Sequence, residues 1–549
     1  MSHPPETDPT RTQIDELVTQ TPASGRRHSV AFVAVVAVVA TLGSLLFGYD
    51  TGVIAGALPY MYMPHAAGGL GINSFEEGLV GGILLIGCAF GAFFGGRLSD
   101  RYGRRHNILL LAVVFFVGAM ACTFSPNLRA LYPARFVLGF AVGGASTTVP
   151  VYLAETAPKR IRGTLVGVDQ LMIVTGQFLA FAMNAIIARG ITGGPEARVS
   201  TVDPGTSVTI NGVRTTIEAG QCYTWDALQQ VADAVTIDGG NGNTWRYMLV
   251  ICSIPAIALW IGMRMMPESS RWYAVNRRIP EAIGVLKRVR DESKDGSIAD
   301  EVSEMIEVNR REAAITKWGL GQVFRTPWTR RVLVIGCFIG IFNQTTGVNT
   351  MMYYAPKVLQ AAGFATEDAI VLDVLTGLAS VIGSALGLWL LARFSRRRVI
   401  IGGTIGLTVM LWAMTAVFLL GINPHLDDSG NVTSGMPPLV PYLVVIVIVV
   451  FMLFMQAGNA PGTWVIMSEL FPARMRGAAM GFAVLCIWIS NAIITFAFPS
   501  MMSRLGPVAT YLVFALINVV AVVYMYRKVP ETKYASLEEL EEQFQQRYA

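Results

Sequence analysis

The sequence predicts an all-α membrane protein with twelve transmembrane helices in two pseudo-symmetric six-helix bundles. Of its 549 residues, 53% are hydrophobic and 14% are charged, whereas a soluble domain carries about 25% charged residues. Twelve apolar stretches are long enough to cross a bilayer, which takes about 20 helical residues. Short motifs also recur in both halves of the chain, and this repetition predicts the pseudo-symmetry.

The predicted membrane spans are numbered 1 to 12 in chain order. They are 30–58, 77–98, 106–124, 131–154, 163–188, 245–266, 331–360, 369–391, 398–421, 438–468, 477–500 and 507–527.

The spans divide the chain into two bundles, over residues 30–266 and 331–527. Residues 1–29 are polar and have no apolar core, so we expect a disordered cytoplasmic tail and not a signal peptide. The linker 267–330 contains two charged segments with helical spacing of apolar residues, which predicts surface helices at 279–290 and 299–313. The C-terminal tail 528–549 is expected to be helical from 535 onwards.

Lysine and arginine in short loops predict the orientation of the bundles. They concentrate in the loops after spans 2, 4, 8 and 10, whereas loops 59–76 and 422–437 contain neither residue. Both termini are therefore expected in the cytoplasm of a plasma-membrane protein. The net charge of +5 reflects this loop bias, so we expect the lipid bilayer as a partner and no nucleic acid.

Two motif pairs support a six-plus-six repeat with parallel halves. The pattern E-x-x-P-x-R-x-R-G follows span 4 from Glu155 and span 10 from Glu469. A Pro-Glu pair follows span 6 at Glu268 and span 12 at Glu531. Membrane transporters built from such repeats bind substrate between the halves near the midplane.

The repeat also reveals an insertion in the first half. The stretch from Glu155 to Pro267 is almost twice as long as the equivalent stretch from Glu469 to Pro530. The excess corresponds to the polar stretch 190–243, which the orientation places outside the cell. Because an Asn-Gly pair flanked by alternating residues is a hairpin signal, we expect a small outer cap with a hairpin at 206–217. A flexible loop is the alternative.

Asp50 is a carboxylate at membrane depth, where aspartate costs about 2.5–3.5 kcal/mol. It follows Val30 on span 1 at the same distance along the chain as Arg135 precedes Glu155 on span 4. The two side chains therefore share one depth, and we expect them to form a proton-coupling pair. A purely structural ion pair is the alternative. Asp169 and Asp373 are expected near the membrane interfaces instead.

The motifs together resemble the sugar porter family of the major facilitator superfamily over about residues 30–535. They are Gly96-Arg-Leu-Ser-Asp-Arg-Tyr-Gly-Arg-Arg105, Pro267-Glu-Ser-Ser-Arg-Trp272, Pro530-Glu-Thr-Lys533 and the E-x-x-P-x-R-x-R-G pair. Segments around spans 4 and 10 look most like bacterial inositol and sugar proton symporters. The resemblance implies alternating access and a monosaccharide or polyol substrate. It also implies proton coupling, because coupled members carry aspartate at the position of Asp50.

A sugar site needs amide side chains, which donate and accept hydrogen bonds, and an aromatic surface. Spans 5, 7, 10 and 11 offer both at midplane depth. The candidates are Gln170, Gln177, Asn343, Gln344, Asn349, Gln456, Trp464, Trp488 and Asn491. Of these, the resemblance matches Gln170, Gln177, Gln344, Asn349, Trp464 and Asn491 to family sugar contacts. Contacts that only hold helices together are the alternative for each amide.

Three positions depart from the family pattern and leave the identity of the sugar open. Asn343 stands where glutamine is usual, Ser380 where asparagine is common, and Ile487 where an amide is frequent. A shorter amide and two lost polar groups leave room for a polyol or a bulkier ring.

Candidate gates lie at both ends of the bundle. Gly347 and the Tyr353-Tyr354 pair predict a breakable helix that serves as the outer gate. On the cytoplasmic face we expect a first-half charge network of Asp100, Arg101, Arg104, Arg105, Glu155 and Arg162. Its expected second-half counterpart is Glu469, Arg476, Glu268 and Arg271, weakened by Ala392 and Ser395. Charges that only orient the protein are the alternative.

The sequence therefore favours a proton-coupled importer of a monosaccharide or an inositol-like polyol. An uncoupled facilitator is the main alternative, and a sugar sensor is a further one. No nucleophile–base or metal constellation is recognisable, so we expect neither an enzyme nor a cofactor. A monomer is expected.

Overall fold

The computed structural model describes residues 10–23, 30–210, 213–314, 318–426, 436–472, 474–533 and 537–548. Within them, eleven helices are long and apolar enough to cross a membrane. In chain order the membrane helices and their segments are Val30–Met61, Ser74–Tyr102, Arg104–Thr123, Leu128–Thr156, Arg162–Gly190, Thr244–Val250 with Ser253–Met265, Pro327–Thr345 with Val348–Tyr353 and Ala355–Ala361, Thr366–Arg393, Arg396–Ala416 with Val417–Ile422, Leu439–Phe454 with Met455–Asn459 and Ala460–Leu470, and Arg476–Lys528.

The last membrane helix, Arg476–Lys528, crosses the membrane twice. Its backbone leaves the helical region at Gly506, where φ is 75°. The ring centroids of Phe498 and Phe514 are 6.4 Å apart, whereas a straight helix would separate these two residues by about 24 Å. The chain therefore reverses at Gly506, and the fold has the twelve predicted spans. The predicted boundary between spans 11 and 12 falls at this turn.

Spans 7 and 10 are interrupted near their middles. Span 7 breaks at Gly347, whose φ of 82° is a left-handed conformation that glycine adopts without strain. Span 10 contains a π-helical segment, Met455–Asn459, and such bulges often occur at functional sites. Both interruptions fall among the predicted substrate amides.

The insertion between spans 5 and 6 forms a small β structure, which contains the predicted hairpin. Its strands are β1 Glu196–Val202, β2 Ser207–Ile210, β3 Val213–Thr216, β4 Cys222–Thr224 and β5 Val235–Gly240. They pair antiparallel in one sheet of order β4-β1-β5 and in the hairpin β2-β3. The Asn211-Gly212 turn lies outside the described residues. We call this end of the bundle the insertion end.

The opposite end, here the linker end, carries short helices. They are Ser270–Val275, Ile279–Val289, Glu292–Asp295, Ile298–Ala314 and Leu320–Arg325, followed after span 12 by Leu537–Tyr548. Both linker helices expected at 279–290 and 299–313 are present, and so is the tail helix.

The prediction of a disordered N-terminal tail is wrong for residues 10–23. Arg11–Gln20 is a helix whose apolar side chains, including the buried Ile14, pack against the linker helices. Lys287 Nζ donates to the carbonyl oxygens of Val18 and Thr21, where a helix C-terminus favours a cation. The helix forms because its apolar residues recur at helical spacing. Residues 1–9 and 24–29 of the predicted tail lie outside the described residues.

Arg290 fastens the linker to the end of span 4. Its side chain is 2% exposed and donates to the carbonyl oxygens of Thr156 at 2.6 Å and Ala157 at 3.2 Å. It also forms a two-bond pair with Glu301, at 2.9 Å for each bond. Charged hydrogen bonds of this kind are stronger than neutral ones, so Arg290 ties the linker to the first bundle.

Replacing Arg290 with glutamine is expected to destabilise linker docking by about 1–3 kcal/mol, because it leaves buried acceptors unpaired. Limited proteolysis and thermal unfolding of the purified protein measure this as faster linker cleavage and a lower Tm. Arg311→Gln is the matched control, since Arg311 pairs with Glu307 on an exposed face, where such pairs contribute about 0.3–0.5 kcal/mol. Equal effects from the two variants would contradict the anchoring role.

Candidate transport site

Asp50 and Arg135 form an ion pair in the middle of the first bundle. Arg135 Nη1 donates to Asp50 Oδ1 at 3.0 Å, and both side chains are fully buried. Arg135 Nε also donates to the Val80 carbonyl at 3.4 Å. Asp50 Oδ2 and Arg135 Nη2 have no hydrogen-bond partner in the described part of the protein. The predicted pairing is therefore present, with one carboxylate oxygen and one guanidinium nitrogen left without a partner among the described residues.

Span 1 packs on span 5 through glycines that flank Asp50. A Cβ atom at Gly48 would lie 1.7 Å from the Ile173 carbonyl oxygen, and one at Gly52 would lie 2.9 Å from that of Gln177. Both positions therefore require glycine, because any larger residue would separate the helices. The segment of span 1 that carries Asp50 is therefore in close backbone contact with the part of span 5 that carries Gln177.

The predicted amides of span 7 are joined in one hydrogen-bonded chain. Asn349 Nδ2 donates to Gln344 Oε1 at 2.6 Å, and Gln344 Nε2 donates to Asn343 Oδ1 at 3.0 Å. Asn343 Nδ2 in turn donates to Oδ1 of Asn459 in the π-helical segment of span 10, at 2.6 Å. Asn343 is thus a link between spans 7 and 10. Asn459 is a member that the predictions did not include, although the polar stretch around it pointed to this segment.

The remaining predicted substrate residues are not brought into this chain. Gln177 and Gln456 are buried, and Gln177 Nε2 and Gln456 Oε1 have no partner among the described residues. Trp488 packs against Phe47 of span 1, with ring centroids 5.9 Å apart. Trp464 is exposed. Two further predicted substrate residues also lie outside the amide chain. Gln170 is partly buried, and Asn491 accepts a hydrogen bond from the Thr495 hydroxyl at 3.1 Å.

The two bundles are tied together at the insertion end. Within the second bundle, the hydroxyl of Tyr354, from the predicted gate, donates to the Thr495 carbonyl of span 11 at 2.9 Å, and a Cβ atom at Gly81 of span 2 would lie 3.1 Å from this hydroxyl. Lys357 Nζ lies 2.5 Å from Oε2 of Glu77 on span 2, and the Tyr62 hydroxyl donates to the same carboxylate at 2.7 Å. Glu77 is fully buried. This end of the molecule is therefore closed.

The insertion adds a contact between the bundles that was not predicted. Asp226, in the short helix Trp225–Leu228, accepts from the Thr366 backbone N–H at 3.1 Å and from its hydroxyl at 2.6 Å. Thr366 is the first residue of span 8. A carboxylate is favourable at a helix N-terminus, so the insertion of the first half caps a helix of the second half.

The linker end of the first half contains the predicted charge network, with corrections. Arg104 Nη2 lies 3.0 Å from Asp100 Oδ1 and donates to Glu155 Oε1 at 3.1 Å. Arg101 instead lies over the ring of Tyr102. Among described residues, Arg162 has no ion pair, and its Nε has no partner.

The assignment of Glu268 and Arg271 to the second-half network is wrong. Glu268 accepts from the Arg105 backbone N–H at 3.0 Å and lies 3.1 Å from His106 Nδ1, at the start of span 3. Arg271 lines a cleft with Lys159 and Glu304. Both residues follow span 6 directly, which keeps them beside the first bundle.

Glu531 is the true second-half counterpart of Glu268. It accepts from the backbone N–H of Arg396 at 3.2 Å and of Arg397 at 3.3 Å, at the start of span 9. Burial acts to raise the pKa of Glu531, but hydrogen bonds from the Lys533 N–H and the start of span 9 together lower it. The repeated Pro-Glu pair was the signal that could have identified it.

The rest of the second-half network is looser. Arg396 Nε lies 3.7 Å from Glu469 Oε1, and Ala392 provides no equivalent of the Asp100 carboxylate. Arg476 donates from Nε to the Phe471 carbonyl at 3.2 Å, and it forms no ion pair within the described residues. The second half therefore has fewer charge contacts at this end.

The Sugar (and other) transporter family model matches residues 36–194 and 227–544. The chain is 41% identical to the major myo-inositol transporter IolT of Bacillus subtilis strain 168, over 94% of this chain and 95% of the relative. It is 30% identical to the galactose-proton symporter of Escherichia coli K12, over 94% and 95% of the two chains. The inward-open xylose transporter XylE of E. coli matches with a TM-score of 0.67 and 26% identity, over 93% and 99%. The chain therefore belongs to the sugar transporter family of the major facilitator superfamily.

Proposed function

We propose that this sugar transporter is a proton-coupled symporter that imports a monosaccharide or an inositol-like polyol by alternating access. The observation that carries the proposal is the fully buried Asp50–Arg135 pair, which is joined by one hydrogen bond. A buried pair that served stability alone would be expected to use its second oxygen and nitrogen as well, because desolvated charges are costly unless they are fully hydrogen-bonded.

Protonation of Asp50 removes the negative charge opposite Arg135. The guanidinium is then left buried without a counter-ion, which is unfavourable, so the protonated pair favours a rearranged bundle. The second segment of span 7, which ends at Tyr353, packs against span 1, the helix that carries Asp50. Proton binding in the first bundle can therefore bias the broken helix of the second bundle.

The substrate class is supported by the amides and by the relatives. Neutral amides both donate and accept, as sugar hydroxyls do, and two of the candidates, Gln177 and Gln456, hold a polar atom that is buried without a partner among the described residues. The relatives are named for myo-inositol, galactose and xylose. We place the site between the bundles, around span 7.

With the termini in the cytoplasm of a plasma-membrane protein, the insertion end faces outward. The contacts of Lys357 with Glu77 and of Asp226 with Thr366 at that end then form the outer gate in its closed position. Substrate enters when these contacts break and is released when the networks at the linker end separate.

Asp50→Asn is expected to abolish accumulation driven by a pH gradient, because asparagine cannot carry the proton. Exchange of labelled sugar across proteoliposome membranes should persist within a few-fold. Asp373→Asn is the control, since Asp373 is a buried span 8 carboxylate outside the proposed proton pathway, and it should keep accumulation. Unchanged accumulation in Asp50→Asn would contradict coupling and favour an uncoupled facilitator.

Gln344→Ala is expected to raise the KM for the transported sugar by about tenfold or more, as the loss of a buried hydrogen-bonding partner does. Uptake assays with myo-inositol, galactose and xylose measure this and identify the substrate. Asn518→Ala is the matched control. Its amide donates to the Thr345 and Phe514 carbonyls, so its loss should lower protein stability and leave KM unchanged. An unchanged KM in Gln344→Ala would mean that this amide only connects helices.

Lys357→Met is expected to open the insertion end. The substitution leaves Glu77 buried without its cation, which costs about 3–5 kcal/mol, and opening removes this cost because it returns Glu77 to water. Hydrogen exchange of residues 74–85 and 348–361 should become faster. Lys159→Met removes an exposed pair with Glu304 at the linker end and should leave those segments unchanged. Equal protection in Lys357→Met and the wild type would contradict the gating role.

A further inference from the structure

The hydrogen bonds of the amide chain all run in one direction. Starting at span 9, Asn459 Nδ2 donates to the Thr404 hydroxyl oxygen at 2.9 Å. The amides of Asn343, Gln344 and Asn349 then each donate to the preceding carbonyl oxygen, at 2.6, 3.0 and 2.6 Å. Each amide therefore uses its NH2 group toward span 9 and offers its oxygen to the next member.

Thr404 fixes this direction. Its hydroxyl donates to the Ile400 carbonyl one turn earlier, at 2.8 Å. A hydroxyl has a single proton, so toward Asn459 the Thr404 oxygen can only accept. Asn459 must then present its NH2 group to Thr404 and its oxygen to Asn343. The same constraint passes along the chain, because a reversed amide would place two oxygens or two NH2 groups face to face.

Burial prevents water from relaxing the constraint. Thr404 is 1% exposed and Asn459 is fully buried, whereas the two members at the other end, Gln344 and Asn349, are 9% and 8% exposed. An unsatisfied polar group in such surroundings costs about 1–3 kcal/mol. The amide chain is thus fixed at its buried end, Thr404 and Asn459, and its other end, Gln344 and Asn349, is more accessible.

The accessible end is Asn349 Oδ1, which accepts no hydrogen bond from the described residues. We propose that Thr404 and Asn459 are positioning residues that make Asn349 an obligate hydrogen-bond acceptor toward the substrate. The inference rests on the proposed substrate site and adds its specificity: one substrate hydroxyl must donate at this position. A group that can only accept is excluded there.

Thr463 provides an internal comparison. Its hydroxyl oxygen lies 3.3 Å from Asn343 Nδ2, and among described residues this hydroxyl has no other partner. Its proton is therefore free to turn, so it can serve either orientation of Asn343. Only the Thr404 hydroxyl, whose proton is already committed to Ile400, selects one orientation.

The test compares Thr404→Val, Thr404→Ser and Thr463→Val in proteoliposomes. The probes are myo-inositol and D-glucose with their monofluoro analogues, in which fluorine replaces one hydroxyl and cannot donate. In the wild type, at least one analogue should bind about tenfold or more weakly than its parent. Thr404→Val should reduce that ratio to below about threefold, because the amides can then turn, whereas Thr404→Ser and Thr463→Val should keep it.

Two outcomes would overturn the inference. One is a wild-type protein that binds every fluoro analogue as well as its parent. The other is a Thr404→Val variant that keeps the wild-type ratio. If the wild type transports or binds neither of these parents, nor galactose or xylose, that result would instead contradict the proposed function. If Thr404→Val does not fold, Asn459→Ala must lower the same ratio, because it removes the carbonyl oxygen that accepts from Asn343 and leaves Asn343 beside the Thr463 hydroxyl, which can serve either orientation.

Discussion

The ion pair between Asp50 and Arg135 is the constraint on which the first bundle depends. Two charges with no access to water persist only because each neutralises the other. Close glycine contacts at Gly48 and Gly52 hold span 1 against span 5 on both sides of the carboxylate. In the proposed cycle, a change of charge at Asp50 is passed to span 5 through these contacts.

The two bundles hold different kinds of polar groups. The first holds the buried Asp50–Arg135 ion pair, whereas the second holds the neutral amide chain and the broken helices of spans 7 and 10. They meet through Phe47 and Trp488 in the interior, and through the Lys357–Glu77 and Asp226–Thr366 contacts at the insertion end. A sugar is neutral, so in the proposed cycle the proton site supplies the driving force and the amides supply recognition.

The Asp50–Arg135 pair could be predicted by counting residues along two antiparallel helices, because helix geometry alone fixes the depth of each side chain. Asp50 and Arg135 lie at the same depth because equal lengths of helix separate them from the same end of the bundle. Contacts that depend on loop paths could not be predicted in this way. Glu268 turned toward span 3 instead of the second bundle, and Asp226 reached the start of span 8 across an insertion that the internal repeat does not contain. The direction of the amide chain depends on Thr404, whose role only the three-dimensional packing reveals.

The most direct test is to count protons and sugars in the same proteoliposomes, with an internal pH dye and labelled myo-inositol. Coupling through Asp50 predicts that inward sugar flux acidifies the lumen in a fixed ratio, and that Asp50→Asn transports sugar down its gradient without any pH change. Sugar flux without lumenal acidification in the wild type, or unchanged acidification in Asp50→Asn, would contradict it.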